Sequence, residues 1–204
     1  MKSICIVDYG LGNIASLHNS LSKIGYKPEF CSDNLKKNYD IIFIPGIGSF
    51  SRGSKLIHKK KIFQFIERHI ANNSFIFGIC LGMQLLLSVG LENGKSKGIT
   101  IFKGNVKKLS VKKNIILPVV GWKPVKFKKN FLNLKKKYNN EKFYFIHSYV
   151  AHSSEPKNVL TETIYDKIKY TSAIQKNNVI GTQFHPEKSG EVGLNFLKDV
   201  IKYS

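Results

Sequence analysis

Three times in the first ninety residues, a short continuous apolar run gives way to a glycine-bearing turn and then to apolar residues at helical spacing. Ser3-Ile-Cys-Ile-Val-Asp8 ends in Tyr-Gly-Leu-Gly-Asn13, after which Ile14, Leu17, Leu21 and Ile24 recur until Gly25. Tyr39–Ile44 runs into Pro45-Gly46-Ile47-Gly48, and the spacing of Ile62, Phe63, Phe65, Ile66 and Ile70 predicts a helix over Leu56–Ile70. Phe75–Ile79 repeats the pattern. Strands with one wet face alternate apolar and polar residues, so runs this continuous point to parallel strands covered by helices on both faces. The expectation is an α/β, doubly wound sheet whose sites lie at the carboxyl ends of its strands.

From about Gly98 the rhythm changes. Ile99–Phe102, Val119–Trp122, Phe143–Val150, Tyr170–Ile174 and Val179–Phe184 are short β-rich pieces between lysine- and asparagine-rich turns, and they predict antiparallel additions to the sheet. Lys123–Lys142 is expected to be a mobile, charged excursion, and a final helix spans Gly190–Tyr203. At 204 residues, with no internal repeat, the chain is expected to form a single domain, 1–204.

Composition removes several function classes. Three cysteines, at 5, 31 and 80, with no C-x-x-C pair fit neither a disulfide framework nor a zinc site, so a reducing, cytoplasmic setting is expected. MKSICIVDYG lacks the small-residue cleavage pattern of a signal peptide. The longest apolar run, Phe75–Leu91, is shorter than the ~20 residues of a membrane span and contains Gln84 and Ser88, so no membrane partner is expected. A formal charge of +20 raises nucleic-acid binding as a rival function. Only Arg52 and Arg68 are arginines, however, and the lysines are dispersed, which reads as a solvated surface rather than a phosphate or base reader.

Within Phe75–Leu87, Cys80 stands between Gly78 and Gly82 where strand becomes helix. Gly-x-Cys-x-Gly at such a junction resembles a nucleophile elbow, and the following helix would offer N–H groups and a positive dipole end to the sulfur. A thiolate needs a proton-handling partner. His18, His58 and His69 lie in expected helices among polar neighbours and read as solvated. His185 follows the apolar run Val179–Phe184, and Glu187, two residues on in an extended segment, can orient its imidazole. Cys80, His185 and Glu187 thus make a candidate acyl-transfer triad. The competing zinc-deaminase reading of His-x-Glu needs cysteines downstream, and none follows Cys80. Gly10-Leu-Gly-Asn-Ile-Ala15 imitates a dinucleotide loop but lacks its third glycine, so neither metal nor cofactor is expected.

Six blocks together resemble the class I glutamine amidotransferases, and among them the branch of glutaminase subunits of imidazole glycerol phosphate synthase. They are Ile6–Asn13, Pro45–Phe50, Gly78–Leu85, Gly121-Trp122, Phe143–Tyr149 and Gln183–Gly190, in the family's order along essentially the whole chain. The resemblance implies a flavodoxin-like fold, mostly parallel, and hydrolysis of L-glutamine to glutamate and ammonia by Cys80, His185 and Glu187. It implies oxyanion donors from Leu81 and from the Gly46-Ile47-Gly48 loop after a peptide flip, with Gln84, Ser148 and Tyr149 holding the substrate. It implies a heterodimer with a (β/α)8-barrel cyclase that receives the ammonia, with Asn13, Trp122 and Lys188 at the interface. Val119 and Lys123 depart from the family's usual residues beside the tryptophan. Similar subunits serve other acceptors, including enzymes that make an amidine on a surface sugar, and that alternative stays open.

Overall fold

The computed structural model describes residues 2–32 and 36–204. Strands β1 (Ile4–Val7), β2 (Glu29–Cys31), β3 (Ile41–Ile44) and β4 (Phe75–Ile79) run parallel in the order β2-β1-β3-β4. Every residue of β1, β3 and β4 is buried, which is why these runs carry no alternation. Alternate side chains point to opposite faces, so Ile4, Ile6, Ile41 and Phe43 join one core cluster and Cys5, Val7, Ile42 and Ile44 the other. Helix α1 (Ile14–Lys23) covers the first face through Leu17 and Leu21; α2 (Phe50–Lys59) and α3 (Ile62–Ala71) cover the second through Ile57, Phe65 and Ile66.

The helix expected over Leu56–Ile70 is therefore two, separated at Lys60 and Lys61, the latter at φ 55°. α2 starts earlier than its apolar spacing suggests because Ser49 caps it and Gly53 and Ser54, which a hydropathy count misses, share its buried face. After β4 come α4 (Leu81–Leu85), β5 (Leu87–Gly90), β6 (Ser96–Lys97), β7 (Phe102–Lys108), β8 (Val119–Pro124), β9 (Lys126–Phe127), α5 (Leu134–Tyr138), β10 (Lys142–His147), β11 (Tyr149–Ser153), β12 (Val159–Tyr165), β13 (Ile168–Lys176), β14 (Val179–Thr182) and α6 (Gly190–Tyr203).

The second half is mainly antiparallel, as expected, with two exceptions. β14 returns from a hairpin with β13 and lies parallel to β4, pairing Gly181 with Gly78 and Thr182 with Ile79; β5 and β7 are also parallel. The run Phe143–Val150 divides at Ser148: β10 pairs with β8 in a separate two-stranded sheet, whereas β11 joins the main sheet beside β7 and β13. The strand expected over Ile99–Phe102 begins only at Phe102. The segment Lys123–Lys142 is anchored rather than loose, because Val125, Phe127, Leu134 and Tyr138 are buried in the core shared with α6. His69, expected in solvent, is fully buried, with Nε2 accepting from the Tyr39 N–H and Nδ1 facing the Phe65 carbonyl. Among the described residues no helix is long and apolar enough to cross a membrane.

Candidate active site

The chain turns sharply where β4 ends. Cys80 sits at φ 53°, ψ −107°, a conformation that costs a non-glycine residue about 1–3 kcal/mol and needs surrounding structure to hold it. The Cys80 N–H donates to the Thr182 carbonyl at 2.7 Å, and its carbonyl accepts from the Gln84 N–H at 3.1 Å. The flanking glycines permit close approach: a Cβ on Gly82 would strike the Ile44 carbonyl, and one on Gly78 would strike the Gly82 backbone. α4 lasts only five residues, so its dipole gives the sulfur much less support than the sequence suggested.

β14, lying beside β4, carries the chain past the same strand ends to His185. The imidazole is fixed through its backbone: the His185 N–H donates to the Tyr144 carbonyl at 2.9 Å, and the Ser189 hydroxyl, itself accepting from the Tyr144 N–H, donates to the His185 carbonyl at 2.6 Å. Nδ1 lies 2.7 Å from Oε1 of Glu187, with the two side chains only 2% and 3% exposed. Burial by itself would lower the pKa of His185, but the neighbouring Cys80 sulfur, followed by Glu187, more than reverses this and raises it to about 10. Among the described residues, Nε2 of His185 is buried without a hydrogen-bond partner.

A cavity of about 350 Å³ opens above the sulfur, lined by Ile47, Gly48, Cys80, Leu81, Gln84, Ser148, Tyr149 and Lys188. Gly46 lies just behind its wall, where a Cβ would collide with the Tyr9 hydroxyl and with Leu81. The Leu81 N–H is occupied, donating to the Gly46 carbonyl at 3.3 Å. Two residues expected at an interface lie outside the cavity lining: Asn13 caps α1 by accepting from the Ser16 N–H, and Trp122 stands 56% exposed against Tyr144 on the outer face of the β8–β10 sheet. Val119 is fully buried and cannot meet a partner with its side chain.

The structure adds three residues that sequence reading left out. Glu92 brings a carboxylate to the cavity wall, anchored by the Phe50 N–H at 2.7 Å. His147 lines the same cavity with Nδ1 at 3.1 Å from the Tyr149 carbonyl and Nε2 at 3.3 Å from the Tyr170 hydroxyl. Burial, helped by the charge of His185, lowers its pKa to about 4. Gln183 is wholly buried, and its amide nitrogen lies 3.5 Å from the Cys80 sulfur. The position of Gln183 two residues before His185 was a usable signal; Glu92 sits in a polar turn that carries none.

A paired thiol and carboxylate-oriented imidazole at the base of a polar-edged cavity suits attack on an acyl carbon. The family model for class-I glutamine amidotransferase matches residues 5–202. The chain is 40% identical to imidazole glycerol phosphate synthase subunit HisH of Caldanaerobacter subterraneus subsp. tengcongensis, covering 96% of both chains, and 35% identical to that of Thermotoga maritima, covering 98% of this chain and 97% of the relative. The fold matches a chain in the structure of PurLQS from Thermotoga maritima, with a TM-score of 0.76, 22% identity and 100% and 99% coverage. The chain belongs to the class-I glutamine amidotransferases.

Proposed function

We propose that this chain is the glutaminase subunit of an imidazole glycerol phosphate synthase, acting in histidine biosynthesis and passing ammonia to a (β/α)8-barrel cyclase within a heterodimer. The observation that carries the chemistry is the buried, unpartnered Nε2 of His185 beside Cys80, with Nδ1 pinned to Glu187. Nε2 of His185 takes the proton of the Cys80 thiol as the sulfur attacks the side-chain amide carbon of L-glutamine, forming a C–S bond and a tetrahedral oxyanion. His185 gives its Nε2 proton to the departing nitrogen, which leaves as ammonia. Water, losing a proton to Nε2 of His185, then breaks the C–S bond of the glutamyl thioester to release glutamate, and Nε2 returns that proton to the sulfur to restore the thiol. Glu187 keeps the imidazole in register throughout.

The substrate's amino-acid end faces Gln84, Glu92, Ser148 and Tyr149. Gln84 has committed both amide protons, to Gln183 Oε1 and to the Tyr149 carbonyl, each at 3.0 Å. It therefore presents only its carbonyl oxygen to the cavity, which suits an ammonium donor, as does the Glu92 carboxylate. The Leu81 N–H serves the oxyanion only after the Gly46 carbonyl releases it, so the resting loop disfavours turnover until a partner shifts it. One missing oxyanion donor is worth roughly 10²- to 10³-fold in kcat. Trp122, Lys188 and the surrounding face supply the docking surface.

Cys80→Ala, assayed with the organism's own barrel cyclase and its ribulosyl nucleotide substrate, is expected to lose glutamine-dependent product while retaining ammonium-dependent product. His185→Ala is expected to fall by ~10²- to 10⁴-fold. Appreciable glutamate release from Cys80→Ala would refute the mechanism. Stimulation by a sugar-modifying acceptor instead of the cyclase would move the chain to another pathway and leave the triad intact.

A further inference from the structure

Gln183 makes a contact that the reaction scheme above does not use. Its side chain is fully buried, its backbone N–H is fixed to the Ser172 carbonyl at 2.8 Å, and its amide nitrogen lies 3.5 Å from the Cys80 sulfur. An amide can be placed either way round, so the identity of the atom facing the sulfur must come from its neighbours. Here the neighbours decide it. The Tyr149 backbone carbonyl can only accept, which fixes the NH2 end of Gln84; the other proton of that NH2 then points at Gln183 Oε1 at 3.0 Å. Turning Gln183 round would set NH2 against NH2 in a buried site, leaving donors unpaired at ~1–3 kcal/mol each. The N–H of Gln183 is therefore locked toward the sulfur by a chain that ends on the backbone.

We propose that the Gln183 amide is a catalytic hydrogen-bond donor to the Cys80 sulfur, held in that orientation by Gln84. A donor to sulfur favours its charged form over the thiol and over the thioester, whose sulfur is a poor acceptor. It thus acts at two moments: it readies the sulfur before attack, and it stabilises the sulfur as it leaves when water opens the thioester. Gln84 gains a second task, since the residue that receives the substrate's amino end also orients the donor on the nucleophile. The inference rests on Cys80 being the nucleophile.

The other groups facing the sulfur are His185, backed by Glu187, from the turn after β14; Tyr9 from the segment after β1; and His147, Glu92 and Lys188 around the cavity. These stay unchanged in the test. The full chain would be treated with iodoacetamide across pH, and alkylation of the Cys80 peptide followed by mass spectrometry, with buried Cys5 and Cys31 as internal controls. Gln183→Met removes the donor at similar length; Gln183→Glu keeps the acceptor for Gln84 and replaces the donor with a negative charge. The alkylation profile is expected to move to higher pH in Gln183→Met and further in Gln183→Glu. In the complex, kcat is expected to fall about ten- to a hundredfold with little change in KM, the range of one hydrogen bond to a charged group.

Gln84→Leu, which frees the clamp, is expected to shift the alkylation profile in the same direction by less. Folded variants that keep the wild-type profile would overturn the proposal, and so would a shift in Gln183→Met that Gln183→Glu reverses. A shifted profile in a chain that releases no glutamate with any partner would uphold the donor and defeat the functional reading; glutamate release with unshifted profiles would do the opposite.

Discussion

His147 and His185 are near enough for the charge of one to act on the other, yet their pKa values move in opposite directions because only His185 has a carboxylate and a sulfur beside it. His147 has hydroxyl and carbonyl neighbours, so burial rules and its pKa falls to about 4; His185 is raised to about 10. The consequences for stability run in opposite senses. A histidine depressed in the folded state takes up its proton more readily when unfolded, so the chain loses stability as pH falls from ~6.5 toward ~4. A histidine raised in the folded state contributes stability that is complete below ~6.5 and is lost as pH rises through about 10. His147→Gln is accordingly expected to flatten the acid limb of the unfolding free energy against pH, measured by urea denaturation, by about 3 kcal/mol, at ~1.4 kcal/mol per unit. An acid limb identical to wild type would assign the loss to other groups.

The elbow between β4 and α4 makes its demands on backbone space rather than on side-chain chemistry. Gly82→Ala forces a Cβ into the Ile44 carbonyl, whereas Gly12→Ala meets only ordinary contacts, its nearest neighbour being 3.6 Å away. Overpacking of the first kind costs ~1–3 kcal/mol, or roughly 2–12 °C in Tm at ~2–4 °C per kcal/mol for a domain of this size. Gly12→Ala is expected to stay within ~1 °C, near neutral as an uncrowded surface change; equal thermal shifts would show that the tight packing is not what selects glycine at 82. The same contrast explains what was legible in the sequence. Continuous burial of β1, β3 and β4, and the amphipathic faces of α1 and α6, are written in apolar spacing, so their positions and the placement of Cys80 and His185 could be read directly. The parallel insertion of β14 depends on which edge the chain returns to, and the division at Ser148 on which sheet each half joins, neither of which period-2 patterning encodes. Gln183 was visible as a residue but not as a donor, since its role exists only through Gln84, ninety-nine residues away in the chain.

At the scale of the whole molecule, one apolar patch stands out on a strongly basic surface. The cross-strand pairs Val120 with Ile146 and Trp122 with Tyr144 share the outer face of the β8–β10 sheet, and Val120, Trp122 and Ile146 are 50%, 56% and 40% exposed. Ile146 also lines the cavity, as does Ile47, itself 44% exposed, so the patch runs on to the cavity mouth. If ammonia passes to a partner as proposed above, that mouth must be sealed against water, and the patch is where a seal would form. A central tryptophan in such a contact typically costs ~2 kcal/mol or more on truncation, expressed mainly in the dissociation rate. The +20 charge would act differently: it would steer association with a partner of opposite charge and is screened over ~8–10 Å at physiological salt. Surface plasmon resonance against the barrel cyclase is therefore expected to show Trp122→Ala dissociating at least about tenfold faster with nearly the same association rate, while added NaCl slows association and leaves dissociation nearly unchanged. If Trp122→Ala bound as wild type does, this face would not be the docking surface, and the seal over Cys80 would have to come from another side of the molecule.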